Sequence, residues 1–327
     1  MARVTVLMAV YNGMPFLPEA VNSILGQTLN DWKFVIVNDG STDESATWLS
    51  QLEDPRVQII HQENQGLAAS LNNGLAAIDT EFVARLDSDD IALPHRLELQ
   101  LEVMNADPAI GLLGSQFERL GEQESGFPSR LPCEHDDIVN ALLNARHALC
   151  HPTIMMRTDT IKSIGGYWEH PIAQDWDMYL KMGEHSRLAN MDEVLLKYRI
   201  HTGSLNGQKL ASIRRLQRYA ADCSRRRIEI ESPIEFDEFV KQEESRSLWW
   251  RFNERMNVTA MHRYRQALSS ILAGNRVRGY VQLALAAASS PGLTTRRISR
   301  ILTYNHKAES PHGTHSRAQV AGGSEGG

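Results

Sequence analysis

The chain has 327 residues, 42% of them hydrophobic and 23% charged, enough to bury a sizeable core and to hold more than one domain, which excludes disorder throughout. Its formal net charge of −6 conceals two opposed parts: residues 1–212 carry 15 basic and 29 acidic side chains, whereas residues 213–304 carry 17 and 9. The acidic front suits a site for a divalent cation, the basic back suits a phosphate-bearing or anionic surface, and neither has the charge pattern of a nucleic-acid binder.

From the N-terminus, Val4–Val10 is a continuous apolar run that ends in Tyr11-Asn12-Gly13 with no small-residue cleavage site after it, so it reads as a first buried strand and not a signal peptide. Pro15–Gln27 then repeats apolar residues at helical spacing, with Pro15 suited to a first turn. Phe34–Val37 predicts a second strand, ending in Asn38-Asp39-Gly40-Ser41-Thr42-Asp43, where Ser41, Thr42 and Asp43 are all capable N-caps. Helix at Thr47–Leu52, strand at Val57–Ile60, helix at Gly66–Ile78 and strand at Phe82–Leu86 follow. Apolar strands joined through helices imply a parallel sheet covered on both faces, whose ligand site lies beyond the carboxyl ends of the strands. Three of those ends carry polar groups: Tyr11-Asn12-Gly13, Asn38-Asp39-Gly40 and Asp87-Ser88-Asp89-Asp90.

Further on, Pro94–Asn105 reads as helix, Ile110–Phe117 as strand, Glu118–Pro132 as loop, Gln174 to about His185 as helix, and Leu195–His201 as strand and loop. Beyond Gly207 only helical patterns remain, at Lys209–Ile230, Glu235–Glu244, Val258–Ala273 and Arg276–Ala288, so a boundary is placed near 207. The Gly/Ser/His-rich stretch 305–327 has no periodicity and is expected to be a disordered tail. Cys133, Cys150 and Cys223 are too few for a disulfide framework or zinc cluster, which points to a reducing compartment. No run approaches the roughly 18 to 20 apolar residues needed to span a bilayer. A cytoplasmic location is expected.

The carboxylates of Asp87 and Asp89, two residues apart after a strand, are hard oxygen donors suited to Mg²⁺ or Mn²⁺, although acidic turns often serve only as caps. Asp39 is placed either to cap a turn or to accept hydrogen bonds from a base or ribose. Asn64-Gln65-Gly66 opens a helix whose free N–H groups can face a phosphate, or is a plain helix start. Asp175 and Asp177 flank Trp176 and do not share a helix face, so one is expected to act as a general base and the other as a helix cap. His151 and His201, taken singly, read as structural or surface residues.

Taken together, Val6–Gly13, Val37–Asp43, Asn64–Ala68, Leu86–Asp90, Gly165-Gly166-Tyr167, Gln174–Asp177 and Tyr198–His201 resemble family 2 glycosyltransferases over roughly residues 3–205. The resemblance implies an α/β fold of GT-A type, with a Rossmann-like, mostly parallel sheet and helices on both faces, for residues 1–207; the helical region read from the pattern at 208–304 lies beyond it. It implies inverting transfer of a sugar from a nucleotide-diphosphate donor to a saccharide or lipid-linked acceptor, in assembly of a cell-surface polysaccharide or glycolipid. By this resemblance Ala9, Tyr11, Asp39, Asn64, Gly66, Asn72 and Asp87 fall at donor-binding positions, Asp89 and His201 at metal positions holding Mg²⁺ or Mn²⁺, and Asp175 at the base. Leu71 stands where many members carry Arg or Lys, and Gln174 where many carry Glu.

Two other readings compete. A sugar nucleotidyltransferase has a related sheet but needs a Gly-rich basic loop after the first strand, and Ala9–Phe16 contains no basic residue. A nucleotide-sugar-binding sensor or scaffold without catalysis is opposed by the presence of both Asp89 and Asp175. The arginines at 214, 215, 218, 225–227 and 296–297 read as a peripheral contact with anionic membrane or as a solvated helix face.

Overall fold

The computed structural model describes residues 2–121, 125–169, 173–200, 210–232, 234–272 and 274–292. In chain order these form β1 (Val4–Val10), α1 (Leu17–Leu25), β2 (Trp32–Asp39), α2 (Ser45–Leu49), β3 (Val57–Gln62), α3 (Leu67–Ala76), β4 (Phe82–Arg85), β5 (Ile91–Ala92), α4 (Arg96–Ala106), β6 (Ile110–Leu120), β7 (Ser125–Pro128), α5 (His135–Leu143), β8 (Met155–Arg157), α6 (Thr158–Ser163), α7 (Gln174–His185), β9 (Arg187–Arg199), α8 (Leu210–Glu229), α9 (Phe236–Ser245), α10 (Leu248–Leu272) and α11 (Arg276–Ser289). The strands make one sheet in the order β3-β2-β1-β4-β8-β6-β9-β5, with β7 on β6.

The half of the sheet expected from the apolar runs, β3-β2-β1-β4, is parallel throughout. Beyond β4 the sheet becomes mixed: β8 runs antiparallel to both β4 and β6, β9 runs parallel to β6, and β5 runs antiparallel to β9. Strand alternation sorts β1 onto two faces. Leu7 and Ala9 join Val35, Val37, Leu71 and residues of α5 and α7 in one core layer, while Val4, Val6, Met8 and Val10 join Phe34, Ile36 and α1 in the other. Each fully buried Leu, Val or Ile of these layers contributes roughly 1.5–3 kcal/mol, which fixes the sheet between its helices.

Part of the expected loop at Glu118–Pro132 is strand. β6 continues to Leu120 because β9 pairs with it along its whole length, and β7 folds back onto its end. The helices α5 and α6 and the early start of α10 at Leu248 were not anticipated; the first turn of α10 leaves Leu248, Trp249 and Phe252 exposed, so it carries no amphipathic signal. Pro15 precedes α1 and is outside it.

Leu216, Ala220 and Ala221 of α8 are buried in the same core layer as Trp176, Met178 and Leu180 of α7. Around this seam the arginines are ion-paired. Arg214 and Arg218 reach Glu254, Arg215 and Arg218 reach Glu243, Arg226 reaches Asp222, and Arg227 reaches Glu184 and Asp177. Arg225 donates to the Leu143 carbonyl. Arg214, Arg215, Arg218 and Arg227 therefore join helices together, whereas Arg226 pairs within its own helix and Arg225 and Arg227 are exposed, as on a solvated helix face; the arginines at 296–297 lie outside the described residues. The tail at 305–327 lies outside the described residues.

The closeness of α3 to the sheet depends on Gly74. A Cβ there would stand 2.3 Å from Leu7 Cδ1 and 3.0 Å from Val37 Cγ2. Gly74→Ala is expected to lower stability by about 1–3 kcal/mol despite its better helix propensity, since it overpacks the layer under β1 and β2. Urea unfolding monitored by circular dichroism measures this, and an unchanged midpoint would show that the layer yields.

Candidate active site

β1, β2 and β4 all end on the same side of the sheet, and their loops are tied together by side chains. Asn12 adopts φ 53, in the left-handed region that Asn tolerates better than most residues. Its Oδ1 accepts from Thr42 N at 2.8 Å and Asp43 N at 3.3 Å. In return Asn12 N donates to Ser41 Oγ at 3.0 Å and Met14 N to Asp43 Oδ2 at 3.1 Å. Ser41 and Asp43, expected as caps, thus clasp the loops after β1 and β2, while Glu44 takes the N-cap position of α2. Tyr11 projects from this clasp, 52% exposed.

Asp39 is buried at the end of β2. Its carboxylate accepts from Gln62 Nε2 at 2.8 Å, Gln65 N at 2.8 Å and Gly66 N at 2.9 Å. The N–H groups of Gln65 and Gly66, expected to be free, are consumed by this carboxylate. Gly66 takes φ 88, and Gly40, at φ 69, lets the β2 loop approach Asn64 so closely that a Cβ would lie 2.8 Å from its backbone N. The side chain of Ala9 faces the core layer with Val37 and Leu71. Leu71, where a basic residue was weighed, is fully buried there. Asn72 exchanges two hydrogen bonds with the backbone of Tyr167, donating at 2.9 Å and accepting at 2.8 Å. It thereby fixes the Gly165–Tyr167 turn over α3.

After β4 the acidic turn brings Asp87, Asp89 and Asp90 together, with carboxylate oxygens all within 4.8 Å of one another. Beneath them lies a charge that the sequence reading passed over. Arg85, inside an apolar strand and fully buried, donates to Asp87 Oδ1 at 2.5 Å and to the Leu86 carbonyl. Arg96 sits one layer deeper, donating to the carbonyls of Arg85 at 2.7 Å and Ile154 at 3.3 Å; burial pushes its guanidinium down to about 9. A lone arginine in an apolar strand two residues before an Asp was the available signal. Asp90 accepts from Arg199 N at 2.8 Å through Oδ1, while its Oδ2 is buried without a hydrogen-bond partner. Burial raises Asp90 well above the carboxylate range, with repulsion from Asp87 and Asp89 adding to it. Burial likewise raises Asp87, against the pull of Arg85. Arg199 donates to the Asp89 carbonyl at 2.8 Å and pairs with Glu19, so the end of β9 closes the turn from the side of α1.

Asp175 stands in the first turn of α7 within electrostatic reach of Asp87; burial raises its carboxyl to about 6, and the negative charge of Asp87 adds to the rise. Asp177 does not cap the helix as expected. It pairs with Lys181 at 2.8 Å and with Arg227 at 3.5 Å, because it faces α8 on the side away from the acidic turn. His151 packs against Tyr167 and Tyr179, its Nε2 3.2 Å from the Tyr167 hydroxyl, and burial together with Arg85 holds this imidazole far below its usual value and neutral. His201 lies outside the described residues.

This arrangement, a parallel half-sheet with acidic turns at its ends and a helix-borne carboxylate opposite, accompanies a match of residues 5–165 to the model described as glycosyl transferase family 2. The chain is 31% identical over 213 residues to the amylovoran biosynthesis glycosyltransferase AmsE of Erwinia amylovora, covering 63% of this chain and 79% of that protein. It is 31% identical over 214 residues to the O-antigen biosynthesis glycosyltransferase WbnJ of Escherichia coli, covering 64% of this chain and 84% of that one. The chain belongs to glycosyltransferase family 2. An uncharacterized glycosyltransferase of Haemophilus influenzae is also 31% identical, and there the match spans 61% of this chain and 65% of the relative's length.

Among solved structures, the family 2 chain resembles Staphylococcus aureus TarS 1–349 in complex with UDP-GlcNAc, at a TM-score of 0.56 and 15% identity, over 88% of this chain and 91% of that one. It also resembles a Pyrobaculum calidifontis mannosyltransferase in complex with GDP-Man and Mn²⁺, at a TM-score of 0.51 and 17% identity, over 92% and 80% of the two chains. At these identities the likeness is one of fold, and the fold is GT-A.

Because Asp39 satisfies three donors of a neighbouring loop, Asp39→Asn is expected to act through that loop. The amide keeps the size but turns an NH₂ towards one of the N–H groups, costing about 1–3 kcal/mol. Faster amide exchange at Gln65 and Gly66, with protection retained in β1, is the expected readout; equal loss across the sheet would assign Asp39 to global packing instead.

Proposed function

We propose that this family 2 member is an inverting glycosyltransferase that moves a sugar from a nucleotide-diphosphate donor to an acceptor hydroxyl of a saccharide or lipid-linked saccharide, in the assembly of a cell-surface polysaccharide or glycolipid. The observation that carries the reading is the convergence of Asp87, Asp89 and Asp90 with Asp175 at the carboxyl end of the parallel strands. Relatives named for amylovoran and O-antigen biosynthesis support the acceptor class.

Tyr11 and the loops held by Asn12 and Asp39 border the proposed donor site; Asn64 and Gly66 form its wall, and Asn72 holds the Tyr167 turn in place. A divalent ion fits the acidic turn, because three crowded carboxylates offer hard oxygen ligands and the buried Oδ2 of Asp90 has no hydrogen-bond partner. Asp89 is the residue proposed to hold Mg²⁺ or Mn²⁺, with Asp87 beside it. When bound, the ion supplies positive charge that offsets the charge developing on a diphosphate leaving group. Asp175 is proposed to accept the proton of the attacking hydroxyl while that oxygen forms its bond to the anomeric carbon and the diphosphate departs from the opposite face. A base raised to about 6 keeps enough basicity to take that proton and is still ionised at neutral pH.

Asp89→Asn is expected to abolish transfer and to remove the dependence of donor binding on Mn²⁺ or Mg²⁺ while the melting temperature is unchanged, because the amide loses the charge that holds the ion. Turnover at the wild-type rate would exclude Asp89 as the ligand. Asp175→Asn is expected to bind donor normally but to lose about 10² or more in kcat. The base acts only when ionised, so transfer by the wild type should fall as pH drops through about 6. The variant's residual rate should lack that acidic limb. A matching loss of donor affinity would place Asp175 in the donor site.

A further inference from the structure

α11 is packed the reverse of an ordinary surface helix. The side it turns to α10 is built from small residues: Gly279, Ala286 and Ser289 are buried, and a Cβ on Gly279 would stand 2.4 Å from Ile271 Cγ1 and 3.1 Å from the Ala267 carbonyl oxygen. Arg263 fixes the hairpin by donating to the Leu285 carbonyl at 3.0 Å and to Ser289 Oγ at 2.7 Å, and Ser290 Oγ bonds Asn257 at 2.8 Å. Except for the half-buried Leu283, the large apolar residues point outward. Val277 is 78% exposed, Tyr280 63%, Val281 54% and Leu285 41%. Their spacing of three and four residues gathers them into one stripe. Turning about 100° per residue, Arg276 and Arg278 come to opposite edges of it.

An uncovered stripe of this kind needs an occupant, and charge selects it. Residues 248–292, which form the hairpin, contain six arginines and no lysine or aspartate, and their single glutamate, Glu254, is engaged by Arg214 and Arg218. A second copy would set one strongly positive hairpin against another and pay like-charge repulsion on approach. An anionic lipid surface accepts both features: the apolar side chains enter the headgroup boundary, the tyrosine ring stays at the polar level, and the arginines at the edges face the lipid charge. Among the described residues no helix is long and apolar enough to cross a membrane, so contact of this kind lies in the plane of the surface.

We propose that the outer face of α11, centred on Tyr280, Val281 and Leu285 and edged by Arg276 and Arg278, is a docking surface for an anionic lipid bilayer. It deepens the transferase reading, since an enzyme held at that surface meets a lipid-linked acceptor by diffusion in two dimensions, but its test needs neither donor nor acceptor. The full chain is sedimented with vesicles of phosphatidylcholine alone and of phosphatidylcholine with phosphatidylglycerol, at low and high salt. Expected is binding to the anionic vesicles that weakens as salt rises. Tyr280→Ser/Val281→Ser/Leu285→Ser should weaken binding about tenfold or more, and Arg276→Gln/Arg278→Gln should weaken it at low salt and flatten the salt dependence. The substituted side chains are exposed, so both variants should keep the wild-type melting temperature; a lowered one transfers the comparison to Tyr280→Ser alone. Absence of binding to anionic vesicles at low salt overturns the proposal, as does binding unaffected by these substitutions. A concentration-dependent dimer that the triple variant dissolves overturns it in favour of a second copy. Each of these failures leaves the transferase reading to stand or fall on turnover.

Discussion

Three carboxylates within 4.8 Å of one another at the end of β4 repel, and the structure around them is arranged to hold them there. Arg85 anchors Asp87 from inside the strand, Arg199 binds the Asp89 carbonyl and the Asp90 carboxylate, and Arg96 braces the Arg85 carbonyl from the layer below. Burying a guanidinium costs several kcal/mol unless its hydrogen bonds are made; carbonyls, the Asp87 carboxylate and Gln100 meet most of those of Arg85 and Arg96, leaving Arg85 Nε and Arg96 Nη1 without partners. The strand order sets this up. β4 lies beside β1, Ile154 just before β8 supplies the carbonyl next to it, and β9 returns its last residue to the turn. Positive charge is committed below the acidic turn, yet the Asp90 Oδ2 is still unpartnered on the other side.

The parallel half of this sheet was legible because β1 and most of β2 and β4 are buried on both faces and therefore read as nearly continuous apolar runs, a pattern that survives without any knowledge of partners. The mixed half was not. β8 is three residues long and β5 two, too short to show a period, and β7 is drawn into the sheet by β6 and not by its own composition. The same limit separates the site residues. Asp39, Asp87, Asp89 and Asp175 could be singled out because each falls at a strand or helix end, where a parallel sheet gathers its ligands. What Asp39 binds, and that Asp177 turns to Arg227 across 50 residues of sequence, depends on which loops meet in space.

The helical region shows how a charge count misleads when its partners are not known. Its basic excess was assigned to the arginine-rich α8, but that helix faces the acidic edge of the GT-A body and of α9 and α10, where Glu184, Asp177, Glu243 and Glu254 absorb it. Partly buried pairs of this kind, several sharing one carboxylate, are screened less by salt than isolated surface pairs and gain geometric specificity from the guanidinium fork. The residual positive charge is displaced to the hairpin of α10 and α11, where Glu254 is already spoken for. The apolar stripe of α11 is exposed on that same hairpin, so basic side chains and uncovered apolar area coincide there.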